Sequence, residues 1–80
     1  MPRYFFDVHN QEFSTRDDAG RDCADRERVS EIALQVLCDI AREKPLKHMH
    51  SRLGAIVRDE SGEVVLTATV NLSTTWVGDA

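Results

Sequence analysis

His48-Met49-His50 sets two imidazoles around a thioether, a donor set that suits a soft or borderline metal if Cys23, Cys38 or His9 completes the shell. The spacing matches no standard zinc pattern, and two solvated loop histidines account better for the same residues than a metal site does. Residues 44–58 around them carry Lys44, Lys47, Arg52 and Arg58 and no acid. Lys47, Arg52 and Arg58 are therefore the candidates for contact with nucleic acid or another anion, with His48 and His50 adding charge below about pH 6.5. Asp17, Asp18, Asp22 and Asp25 gather near Gly20, but without the alternating ligands of an EF-hand, which leaves turn and cap chemistry. No G-x-S-x-G, H-E-x-x-H, P-loop or dinucleotide fingerprint occurs. No catalytic residue and no cofactor is assigned, and the expectation is a protein that is not an enzyme.

These residues must be positioned by few elements, because 80 residues at 41% apolar and 30% charged make one small domain, residues 1–80, without room for a second core. Tyr4, Phe6 and Val8 alternate, which predicts a strand over about 3–9. A short return strand over about 12–16 turns Phe13 toward the core, and Arg16-Asp17-Asp18-Ala19-Gly20 ends the hairpin. From Asp25 the period changes: Val29, Ile32, Ala33, Val36, Leu37, Ile40 and Ala41 recur at three- and four-residue steps. A helix over about 26–43 follows, with Asp25 or Asp22 as N-cap, and Pro45 stops it. Strands over about 53–58 and 63–72 flank the turn Asp59-Glu60-Ser61-Gly62. The even-numbered face of the last strand, Val64 through Leu72, is expected to pack, with Thr74 and Trp76 continuing it and Trp76 capping the open end of the core. The order ββαββ predicts a two-layer α+β sandwich: a four-stranded, mostly antiparallel sheet with one helix across one face.

Charge narrows the partners. The net charge of -4 opposes a generic polyanion binder, although it averages -4 over residues 1–43, +4 over 44–58 and -4 over 59–80. Part of the basic window is explained by Arg42 and Lys44 at the negative end of the helix dipole. No apolar run approaches the roughly 20 residues that cross a bilayer, and nothing after Met1 reads as a signal sequence. With two cysteines and no C-x-x-C pair, the expectation is a cytoplasmic protein with reduced thiols.

On a helical projection Leu34 and Cys38 lie roughly 120° and 160° from the centre of the main apolar stripe. With Ala41 they form a second stripe, covered either by a connecting loop or, as a self-association or partner surface, by another chain. The outward Val65-Thr67-Thr69 row and strand-edge pairing offer further routes to a homodimer.

The opening MPRYFFDVH, the turn Arg16-Asp17-Asp18-Ala19-Gly20, Ala33-Leu34 to Leu37 with Asp39-Ile40-Ala41, and Val57-Arg58-Asp59-Glu60 through Gly62 together resemble one family. It comprises short, uncharacterised alphaproteobacterial proteins, frequent in rhizobia, that open M-P-R-Y-[FY]-F, repeat R-D-x-x-G and bear a domain-of-unknown-function label. The resemblance spans nearly the whole chain and implies a bacterial cytoplasmic origin, with no activity, cofactor or site residue attached. Asn10-Gln11 stands where the family usually has Asp-Gly, and Cys23-Ala24 where Leu-Pro often precedes the helix, which argues against Cys23 as a family site. The combined reading is a small protein-interaction or regulatory module that self-associates, with an unknown protein partner and no membrane. The alternatives are a nucleic-acid-binding module using residues 44–58, which is not favoured, and a metal-binding protein using His48 and His50.

Overall fold

The computed structural model describes residues 2–49 and 52–78 and has an α+β fold: one helix lies against one face of an antiparallel sheet. The strands are β1 (Arg3–His9), β2 (Ser14–Thr15), β3 (Arg21–Asp22), β4 (Leu53–Arg58) and β5 (Val64–Val70), with helix α1 (Arg26–Glu43) after β3. The long strands run in the order β1-β4-β5, and the two short ones share the outer edge of β1. β2 pairs with the end of β1 at Val8 and His9, while β3 pairs with its start at Arg3 and Tyr4.

Directly paired residues share a face in an antiparallel sheet. Phe6–Val57–Leu66 and Val8–Ala55–Ala68 therefore form two cross-strand rows toward the helix. Phe6, Val8, Leu53, Ala55 and Val57 are buried there against Val29, Ile32, Ala33, Leu37 and Ala41. A fully buried Leu or Val contributes about 1.5–3 kcal/mol, so Leu37, Leu53 and Val57 anchor the two layers. The Asp25 side chain accepts the Arg28 N–H at 2.8 Å to cap the helix, and Pro45 opens a 3-10 turn, Pro45–His48, beyond it.

Three features depart from the sequence reading. Arg21–Asp22 is an additional strand, so Asp22 sits in the sheet and leaves the cap to Asp25. A register shift in the last hairpin pairs Val57 with Leu66 but Arg58 with Val64, leaving Val65 as an extra residue. The shift turns Val64 to the open face, where it is 53% exposed instead of packed. β5 also ends at Val70, and Trp76, expected to cap the core, is 83% exposed beside Val77 at 86%. The chain measures 54 Å along its longest axis, about twice the roughly 27 Å length of an 18-residue helix.

Candidate functional site

The most connected polar cluster lies on the open face of the sheet. Antiparallel pairing sets Phe5 opposite Arg58 and Asp7 opposite Ile56, which brings Asp7 diagonally next to Arg58 across β1 and β4. Arg58 donates from Nε to Asp7 Oδ2 at 2.7 Å and from Nη2 to Asp7 Oδ1 at 3.0 Å, a two-pronged contact matched to the carboxylate plane. The same Nη2 reaches the Asp17 carbonyl at 3.0 Å, and the guanidinium carbon lies 5.2 Å from the centre of the Phe5 ring.

Asp17 serves the gap between β2 and β3. Its Oδ2 accepts the Phe6 N–H, replacing the absent strand partner, while Oδ1 accepts the N–H groups of Ala19 and Gly20. Asp7 Oδ1 in turn accepts the Asp17 N–H. Hydrogen bonds from Arg58 are the main reason the Asp7 carboxyl titrates below its ordinary value. Burial alone would raise Asp17, but the three backbone N–H groups from Phe6, Gly20 and Ala19 outweigh it and bring that carboxyl down too. Both acids are held ionised and Arg58 is held charged, so the cluster offers no proton donor or acceptor poised near neutrality. Its chemistry is that of a clamp joining β1, β4 and the 16–20 turn.

The two Arg-Asp-x-x-Gly segments build related turns, although the Gly20 N–H bonds the Asp17 side chain and the Gly62 N–H the Asp59 carbonyl. Asp59 Oδ1 accepts the N–H groups of Ser61 and Glu63, as Asp17 does those of Ala19 and Gly20. Gly62 and Gly20 close the turns at φ +88° and +72°, where a side chain would be strained. At Gly20 a Cβ would also stand 2.9 Å from atoms of Arg3 and Phe5.

The basic window does not form one patch. Arg52 and Arg58 flank β4 at opposite ends, about 20 Å apart at strand rise, and Arg58 is committed to Asp7 and Asp17. Lys47 pairs on the surface with Glu12 at 3.8 Å. Arg52 lies exposed at an open groove with His9, Met49 and Asn71, and among the described lining residues no lysine or second arginine joins it as a phosphate-binding surface needs.

The expected metal ligands are dispersed. His48 is buried, not on a solvated loop, and its Nδ1 has no hydrogen-bond partner among the described residues. His50 lies outside the described residues. Cys23 is buried beside Phe6, Val29 and Ile32, whereas Cys38 is exposed on the helix, and both are free thiols. His9 lies over Gly54 on the open face, so close that a Cβ at Gly54 would be 2.8 Å from its ring. No group of three His, Cys, Asp or Glu side chains able to hold a metal occurs among the described residues.

Apolar surface is the remaining candidate. Leu34 is 47% exposed and Cys38 is exposed beside it, whereas Ala41 is buried under the sheet and does not belong to that stripe. β5 has β4 on one side and no strand on the other among the described residues. The segment from Val64 to Gly78 carries no charge, and Trp76 and Val77 stand at its exposed end. Where the start of β5 meets the first turn of α1, Tyr4, Arg26, Val29, Ser30 and Leu66, together with Asp59 and Val65, line a cleft of about 250 Å³. The β5 edge gave a sequence signal, its uncharged β-rich run; the cleft gave none, because its walls come from β1, α1, β5 and the turn at Asp59.

No helix among the described residues is long and apolar enough to cross a membrane. No curated protein and no solved structure matches the chain. A family model described as a domain of unknown function, DUF6894, matches residues 3–71, from the first residue of β1 to just past the end of β5. With the match covering both Arg-Asp-x-x-Gly turns, the clamp between them and the whole sheet, the chain belongs to the DUF6894 family.

Proposed function

We propose that this protein is a small, non-enzymatic interaction module of the cytoplasm that self-associates. The observation that carries the reading is the outer edge of β5, an open strand of seven residues without a charge or a proline, continuing into an equally uncharged segment. An exposed edge of this kind is a template for pairing with another chain, and proteins that remain monomeric usually blunt it with lysine, proline or a cover. The bulge at Val65 blunts only the beginning of β5. An exposed free Cys38 suits a reducing compartment. Commitment of Arg58 to the clamp and separation of the other basic side chains weigh against nucleic acid as the partner.

Native mass spectrometry and sedimentation of the untagged full chain test the proposal. The expected result is a species of twice the 9.0 kDa chain mass that persists as salt is raised, because an apolar strand interface has little dependence on ionic strength. A chain that stays monomeric through the submillimolar range overturns it, as does a monomer carrying a nucleic-acid or metal adduct.

A further inference from the structure

Resting on that self-association reading, we infer that Trp76 of each copy seats in the cleft between α1 and β5 of a second copy, with residues 72–76 of one chain added as a strand alongside β5 of the other. Five observations lead there. Leu66, Ala68, Val70 and Leu72 pack toward the helix side as partly buried residues, and Thr74 and Trp76 continue their phase. In an antiparallel pair, opposed residues share a face, so a pairing centred on Asn71 sets Val70 against Leu72, Ala68 against Thr74 and Leu66 against Trp76.

Leu66 is itself a wall of the roughly 250 Å³ cleft, which also presents Tyr4, Val29 and Ser30. The register that aligns the uncharged segment with its own copy therefore delivers the indole to a recess of matching scale, where Tyr4, Val29 and Leu66 offer apolar contact beside the charged Arg26 and Asp59. The tail stands out from the fold: Trp76 and Val77 are more than four-fifths exposed, while Thr74 meets Met49, Oγ1 to Sδ at 3.6 Å. The radius of gyration of 14.7 Å exceeds the about 12 Å of a compact chain this long, as a projecting segment requires. Finally, no glycine or proline lies between Gly62 and Gly78 to turn the tail back onto its own cleft. The occupant is a second copy, and the contact is reciprocal, as twofold symmetry demands.

Trp76 is the chain's one tryptophan, so its fluorescence reports the site directly. Wild-type emission is expected to move to shorter wavelength as protein concentration rises, with the same midpoint as dimer formation by sedimentation. Trp76→Ala should weaken the dimer at least about tenfold, as truncating a central aromatic anchor does. Ser30→Phe, which fills the cleft, should weaken it likewise while leaving Trp76 emission solvent-like and the circular dichroism of the monomer unchanged. Mixing the two variants leaves one intact tryptophan facing one intact cleft, so heterodimers should form at lower concentration than either homodimer. A wild-type dimer with emission that stays solvent-like overturns the inference and leaves self-association standing through another surface. A blue-shifted emission independent of concentration overturns it in favour of the chain's own cleft. A wild type that never dimerises rejects both this inference and the reading beneath it.

Discussion

Arg58 grips Asp7 with two parallel hydrogen bonds across β1 and β4, although the residues are 51 positions apart in the chain. Their side chains retain only 14% and 19% of their exposure, so the pair is far better shielded than the surface contacts elsewhere. Because Arg58 also holds the Asp17 carbonyl, one side chain ties the central sheet to the turn that fills the edge of β1.

Arg58→Ala is expected to lower the urea midpoint by more than loss of any exposed ion pair, since it leaves the shielded Asp7 carboxylate without its partner. Arg58→Lys should recover only part of that loss, because an ammonium cannot reproduce the planar fork. Urea denaturation of the three proteins measures both, and a Lys variant as stable as wild type would contradict the importance of the fork.

Asp7 and Asp17 titrate below the ordinary aspartate value of 3.8 in the folded chain. Their contribution is therefore fully present above the unfolded value and fades as pH falls through the lower folded ones. Thermal melts should hold steady from neutrality to about pH 5 and then drop through the acid range. Asp7→Asn should start from a lower melting temperature and show a shallower acid limb; an acid limb as steep as wild type would assign the pH dependence to other groups.

Gly54 is required by proximity, not by backbone conformation: its Cβ would meet His9 Cε1 at 2.8 Å, Nε2 at 3.0 Å and the Ala68 carbonyl at 3.4 Å. Gly54→Ala should cost about 1–3 kcal/mol, the range for overpacking. Adding His9→Ala should return much of it, leaving a coupling that a double-mutant cycle measures. Purely additive effects would show that the imidazole moves aside freely.

Asp25→Ala removes the side-chain acceptor for the Arg28 N–H at the helix start and should cost about 1 kcal/mol. Asp22→Ala, whose backbone pairs with β1, should cost less, since among the described residues its carboxylate has a solvent-exposed contact with Arg3 at 3.4 Å as its ion pair. Chemical denaturation separates the two, and equal losses would deny Asp25 its special role.

Leu34→Glu tests the outer face of the helix. Leu34 is 47% exposed on the outer face of the helix, so the change should leave stability within about 0.5 kcal/mol and the oligomeric mass unaltered. Loss of the dimer would move the interface from β5 to Leu34 and Cys38.

The α+β order was legible in the sequence because each element carries its own period: step two at Tyr4, Phe6 and Val8, and steps of three and four from Val29 to Ala41. The turn at Asp59–Gly62 was legible for the same reason, since short carboxylates and a glycine encode a turn locally. Charge, by contrast, appeared as one basic window at residues 44–58, and only the tertiary structure divided it. A strand separates its ends by about 3.3 Å per residue, so Arg52 and Arg58 part company, and the register of β1 against β4 decides that Arg58 meets Asp7. The bulge that turns Val64 outward, the short Arg21–Asp22 strand, the burial of His48 and the exposure of Trp76 share that origin. Each depends on which distant backbone lies alongside, and local periodicity does not encode pairing between distant segments.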